Sequence, residues 1–160
     1  VGRAVGARRR DRFIEAARLS SLWAAAISVV VTLCVLVGGG LLIDLMTTSG
    51  DVRAVARQYL GWTAVTPLVG FAAFQLDGIF IGATRTADMR NMMLISVCVF
   101  FAAWALLTPL LGNHGLWASL LVFLVIRALT LVSRVPALLR QSFPPPAAAI
   151  SDSSPASTDR

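Results

Sequence analysis

Four apolar runs, at residues 19–43, 58–84, 91–111 and 116–135, constrain this chain more than any other feature. Each is near or above the ~20 residues a helix needs to cross a bilayer core. None alternates apolar and polar residues with the period of a strand, and lipid admits only helices or closed barrels. The runs therefore predict an all-α membrane protein with four transmembrane helices. Composition agrees, with 57% hydrophobic residues, 14% charged residues and a mean hydropathy of +0.77, where a soluble domain carries roughly 25% charged residues.

The basic residues set the expected orientation. All 14 are Arg. Arg3, Arg8, Arg9, Arg10, Arg12 and Arg18 precede the first run, Arg85 and Arg90 separate the second from the third, and Arg134 and Arg140 end the fourth. The other side holds only Arg53, Arg57 and the short turn Gly112-Asn-His-Gly115. Positive residues stay cytoplasmic, so both chain ends are expected on the cytoplasmic side of a plasma membrane. Runs three and four then form a tight antiparallel hairpin, and Tyr59, Trp62 and Trp117 lie near the outer interface, where amphipathic rings are favoured. A net charge of +6 suggests nucleic acid, but clusters of Arg between apolar runs argue for lipid instead.

Within the runs the polar residues are few. Asp77 is surrounded by apolar neighbours, and an acid at such depth is costly unless it is paired, protonated or facing a wet cavity. It lies about 12 Å from Arg85 along a helix, and Arg127 lies about 10 Å from Arg134. The two charges therefore share a depth on different helices. They are candidates for an intramembrane ion pair, for ion coupling, or for both. Gln75 points away from Asp77, two residues on. Asp44 is expected to be solvated, and Arg85, Asp88 and Arg90 form a cytoplasmic charge cluster. His114 reads as a surface-turn residue, and a lone His makes no metal site. Cys34 and Cys98 read as small buried hydrophobes.

Other residues concern packing. Pro67 removes a backbone donor and predicts a kink, with a hinge as the sharper reading. Gly78 and Gly82 form a small-xxx-small pair suited to close helix approach. Gly38-Gly39-Gly40 predicts a thin, bendable segment. No phosphate loop, nucleophile triad or metal cluster is present in the sequence, so neither an enzyme nor a cofactor is expected.

Residues 1–12 read as an internal loop, and Val1 in place of Met suggests a C-terminal portion of a longer protein. Residues 141–160 are polar and Pro-rich, and are expected to be a disordered cytoplasmic tail.

Several strings together carry a family resemblance. They are Val1-Gly-Arg-Ala-Val-Gly-Ala7, Tyr59-Leu-Gly-Trp62, Leu76-Asp77-Gly78-Ile-Phe-Ile-Gly-Ala-Thr84, Asp88-Met-Arg-Asn-Met92, Leu111-Gly-Asn-His-Gly-Leu-Trp117 and Val122-Phe-Leu-Val-Ile-Arg127. In order and spacing they resemble the multidrug and toxic compound extrusion (MATE) family, in its DNA-damage-inducible protein F branch, over residues 1–140. The resemblance implies a twelve-helix fold in two lobes, of which these four spans are the last four helices, in a partial C-terminal lobe. It further implies export of cationic or amphiphilic compounds against protons or sodium ions, with the N-terminal lobe and first helices of the same transporter as partners. Some members carry a cation-linked acid on the tenth helix, where Asp77 falls; others place the coupling acid in the N-terminal lobe. Two alternatives stand beside this. One is a small four-helix multidrug transporter acting as a dimer, although its usual first-span acid has no counterpart at residues 19–43. The other is a non-transport membrane scaffold, which leaves the strings at residues 76–92 unexplained.

Overall fold

A computed structural model describes residues 1–144. A short helix, α1 (Gly2–Gly6), precedes four long ones, α2 (Arg10–Met46), α3 (Gly50–Gly82), α4 (Thr86–Leu111) and α5 (Asn113–Ser142). All four long helices are long and apolar enough to cross a membrane. They pack in the lateral order α2, α3, α5, α4, with α3 and α5 at the centre.

The helices outrun the apolar runs. The 37 residues of α2 span about 55 Å at 1.5 Å per residue, against a hydrocarbon core of about 30 Å. Residues 10–12 were expected in a loop, and residues 13–18 precede the first apolar run. They are helical because Arg, Ala, Glu and Ile propagate a helix readily once its apolar part is fixed. The expected loop at residues 1–12 is thus mostly helix, broken at Ala7–Arg9. Helix α5 likewise continues past residue 140 to Ser142; of the expected disordered tail, residues 145–160 lie outside the described residues.

The connections explain themselves locally. Helix α2 ends where Thr47 turns extended (φ −146°, ψ 144°). Arg53 then caps it from the next helix, donating to the carbonyls of Thr47 (2.7 Å) and Asp44 (2.9 Å), two acceptors that a helix C-terminus leaves free. Helix α3 closes with Arg85 N–H donating to the Phe80 carbonyl at 2.9 Å, and Thr84 takes the left-handed position (φ 59°). The same closure ends α1, with Arg9 N–H on the Ala4 carbonyl (2.9 Å) and Arg8 at φ 52°. Between α4 and α5 one residue, Gly112, reverses the chain at φ 57° and ψ −135°, a region that side chains other than glycine's strongly resist. The expected four-residue turn is shorter because Asn113 and His114 already belong to α5.

The core lies toward the arginine end, where Phe13, Phe80, Met92, Leu131 and Leu138 are buried together. Val1 and, within α1, Val5 pack on it. Elsewhere the outer faces carry exposed Leu22, Trp23, Val37, Leu106 and Leu110, as lipid-facing surfaces do. Both Cys34 and Cys98, expected to be buried, are exposed on those faces.

Candidate functional site

The geometry converges on Asp77 and Arg127. Arg127 sits in the middle of α5 and is 4% exposed. Its Nη2 donates to Asp77 Oδ1 of α3 at 2.6 Å, and its Nη1 donates to the Met89 carbonyl of α4 at 3.0 Å. One guanidinium therefore ties three helices. Arg suits this position because its planar fork presents several donors in fixed directions and stays charged when buried. The guanidinium reaches from mid-α5 to the first turn of α4, where Met89 lies between Asp88 and Arg90. The Asp77 side chain is 24% exposed against 5% for Arg127, so the carboxylate forms the accessible side of the pair. The Met89 contact was not legible in the sequence, because any residue can supply a backbone carbonyl.

The remaining sequence candidates fall around this pair unevenly. Pro67 lies inside α3, which runs through it without a break. Gly82 meets α1: a Cβ there would lie 3.0 Å from Val1 Cγ1, whereas a Cβ on Gly78 would meet nothing. Of the expected pair, only Gly82 marks a close approach. Gln75 bonds Ser20 of α2 (2.6 Å) and takes no part at Asp77. In the triple glycine, Gly39 faces Leu60 while Gly38 and Gly40 face open space, and the helix is continuous across all three.

A second polar group lies at the opposite, Gly112 end. Trp62 Nε1 donates to His114 Nδ1 at 3.0 Å, and the Gln58 side-chain amide lies 3.2 Å from His114 Nε2. Tyr59 packs on the imidazole at 4.9 Å between ring centroids and stacks near-parallel with Trp117 at 6.4 Å. His114 is thus a half-buried bridge between α3 and α5, not a residue of a surface turn. The sequence signal was present in the spacing of Gln58, Tyr59 and Trp62, which places the three on one side of a helix. Nearby, Asp44 accepts both Nη2 contacts of Arg57 (2.7 and 2.8 Å). It was expected to be solvated; its side chain is 35% exposed, and the covering of α2 by α3 also brings an arginine beside it.

A cavity of about 740 Å³ opens between α2, α3 and α5 on this half, lined by Gly38, Gly39, Leu42, Tyr59, Thr63 and Trp117 among others. Thr63 is fourteen residues from Asp77, or about 21 Å along α3, so the cavity and the buried pair are separate features. Among the described residues no group of His, Cys, Asp and Glu is placed to hold a metal ion.

Comparison with known proteins gives the setting. The MatE family profile matches residues 1–107. The chain is 38% identical over 133 residues to DNA damage-inducible protein F of Escherichia coli (strain K12). That match covers 82% of this chain and 28% of the relative, so the chain spans well under a third of the relative's length. No solved structure matches. By the extent of both matches, over four membrane-length helices, the chain belongs to the MATE family.

Proposed function

We propose that this chain forms the last four helices of a MATE-type efflux transporter, in its C-terminal lobe. In this reading the whole protein exports cationic or amphiphilic compounds by proton or sodium antiport. Alternating access needs two bundles working around a shared midplane site, and this chain supplies part of one. The observation that carries the reading is the Asp77–Arg127 pair, held at 2.6 Å inside the helices. Ionisable residues at such depth commonly mark ion paths or pair with one another.

Asp77 acts here chiefly as the fixed anion that keeps Arg127 in place. Its partial exposure supports a second role, as the group that accepts the coupling ion and releases Arg127 when it does. Pro67, ten residues earlier on the same helix, is the hinge about which α3 would bend. Both chain ends face the cytoplasm, supported by the gathering of arginines at one end of the helices.

The test is transport by a full-length protein carrying this segment, reconstituted with an imposed proton or sodium gradient. Asp77→Asn is expected to lower export together with folded yield. Export lost at normal folded yield and normal substrate binding assigns Asp77 to coupling instead. Gradient-driven, saturable export by the 160-residue chain alone would overturn the partial-lobe reading and favour a dimeric four-helix transporter.

A further inference from the structure

We propose that the arginine end of the bundle is a preformed site for anionic membrane lipid, with the turns at residues 7–9 and 83–85 and the end of α5 gripping the headgroup phosphate. Among the described residues this end carries ten arginines against three carboxylates, Asp11, Glu15 and Asp88, while Arg53 and Arg57 at the other end are matched by Asp44 and Asp51. Among the described residues, only Arg12 of the ten has a carboxylate partner, Glu15 at 3.8 Å on an exposed face. Among the described residues the positive charge of this end is therefore neither dispersed nor neutralised.

An excess of arginine at one end is enough to orient a membrane protein, but here the backbone also fixes where the guanidinium groups start. Arg8 and Arg9 lie in a closed turn, with Arg9 N–H on the Ala4 carbonyl at 2.9 Å, and Arg85 lies in its counterpart, with N–H on the Phe80 carbonyl at 2.9 Å. Gly82 lets Val1 and Gly2 close on the end of α3, and Ala83, Ala4, Val5, Phe13 and Leu139, which flank the three connections, pack into one core cluster. Phe13 packs edge-on against Phe143 at 5.5 Å, which brings the start of α2 to the segment of α5 that carries Arg140. Three connections thus hold their arginines on one rigid platform. Arg forks match phosphate oxygens in pairs, and a fixed platform keeps the ordering cost low.

The ligand is a lipid and not a soluble polyanion because of what lies beside the charge. Ile14 is exposed between Arg12 and Arg18, and Leu19 and Leu22 are exposed directly on the membrane side of Arg18. An anionic head with an apolar tail satisfies both zones; inorganic phosphate or nucleic acid leaves the apolar one in water.

The experiment uses the full chain purified in a neutral detergent. Bound phosphatidylglycerol and phosphatidylcholine of the same acyl composition are counted by native mass spectrometry, and the unfolding temperature is followed as each is added. Phosphatidylglycerol is expected to be retained over phosphatidylcholine and to raise the unfolding temperature, and both effects should shrink as salt is added. Each of Arg8→Gln, Arg9→Gln and Arg10→Gln is expected to weaken retention about fivefold, the contribution of one basic residue at an anionic surface. Equal retention of the two lipids overturns the proposal, as does a preference indifferent to salt. Displacement of phosphatidylglycerol by equimolar inorganic phosphate would identify a free-phosphate site and also overturn it. Should a variant fail to fold, the salt dependence of the unaltered chain still decides.

Discussion

The guanidinium of Arg127 is the residue on which the interior depends most. With Nη1 on the Met89 carbonyl and Nη2 on Asp77, it has nowhere wet to turn if a partner is lost. Removing one member of a buried pair leaves an uncompensated charge, at a cost of about 3–5 kcal/mol. Asp77→Asn and Arg127→Gln should each lower the unfolding temperature in detergent, Arg127→Gln more, because it also strips a donor from the Met89 carbonyl. The double variant should recover part of the loss, and strictly additive losses would show that the contact carries no coupling. His114 makes a gentler case at the other end. In His114→Ala the indole N–H of Trp62 loses its acceptor, and a partly buried donor left unpaired costs about 1–3 kcal/mol. His114→Gln, which can still accept that bond, should recover much of it; equal losses in the two variants would mean that ring packing, not the hydrogen bond, is the contribution. The Asp77–Arg127 juxtaposition was legible from charge and depth alone, because so few polar residues occupy the runs. The role of His114 was not legible at the histidine itself, which looks the same in sequence whether or not an aromatic helix covers it; the signal lay in the spacing of Gln58, Tyr59 and Trp62 on the facing helix.

At the scale of the helix, the position of each span followed from hydropathy, but the ends did not. Hydropathy reports where lipid ends, whereas a helix ends only where its hydrogen bonding is interrupted. At Thr47 the interruption is a turn to extended backbone, at Thr84 a left-handed residue, and at Gly112 a glycine. Glycine spacing was a weaker guide than glycine environment. Gly78 was singled out by its spacing from Gly82, yet it faces open space. Gly115, which no spacing rule marked, lies so close to α4 that a Cβ would press on the Leu107 carbonyl and the Thr108 backbone. Backbone cannot move aside as a side-chain tip can. Gly115→Val is therefore expected to pry α5 from α4 and destabilise the hairpin by about 1–3 kcal/mol or more. Gly78→Ala should be neutral or stabilising by roughly 0.5–1 kcal/mol, through the lower entropy cost of a helical alanine. Thermal unfolding of the two variants side by side checks both signs; a destabilising Gly78→Ala would mean that another surface closes on α3 there.

Across the whole molecule the two ends of the bundle differ in charge and in packing. The arginine end holds most of the buried core and nearly all the net charge, while the Gly112 end holds an open cavity, an aromatic cluster and ion pairs that cancel. Such asymmetry has a physical origin in how helices enter a bilayer, because arginine resists passage across the membrane and stays on the side of synthesis. In the proposed orientation the even number of spans puts the start of α2 and the end of α5 on that same side. Ala54, on the first turns of α3 between Arg53 and Arg57, reports the opposite face. In a variant lacking Cys34 and Cys98, a cysteine at Ala54 should react with a membrane-impermeant maleimide from the outside of intact cells. A cysteine at Ala87, in the first turn of α4 beside Asp88, should react only once the membrane is opened. The two sites lie at opposite ends of the same bundle, so their accessibilities must reverse together. Labelling of Ala54→Cys from the cytoplasmic side alone would invert the orientation, and the arginine platform would then face the outer leaflet, with Asp77 and Arg127 nearer that surface than the cytoplasmic one.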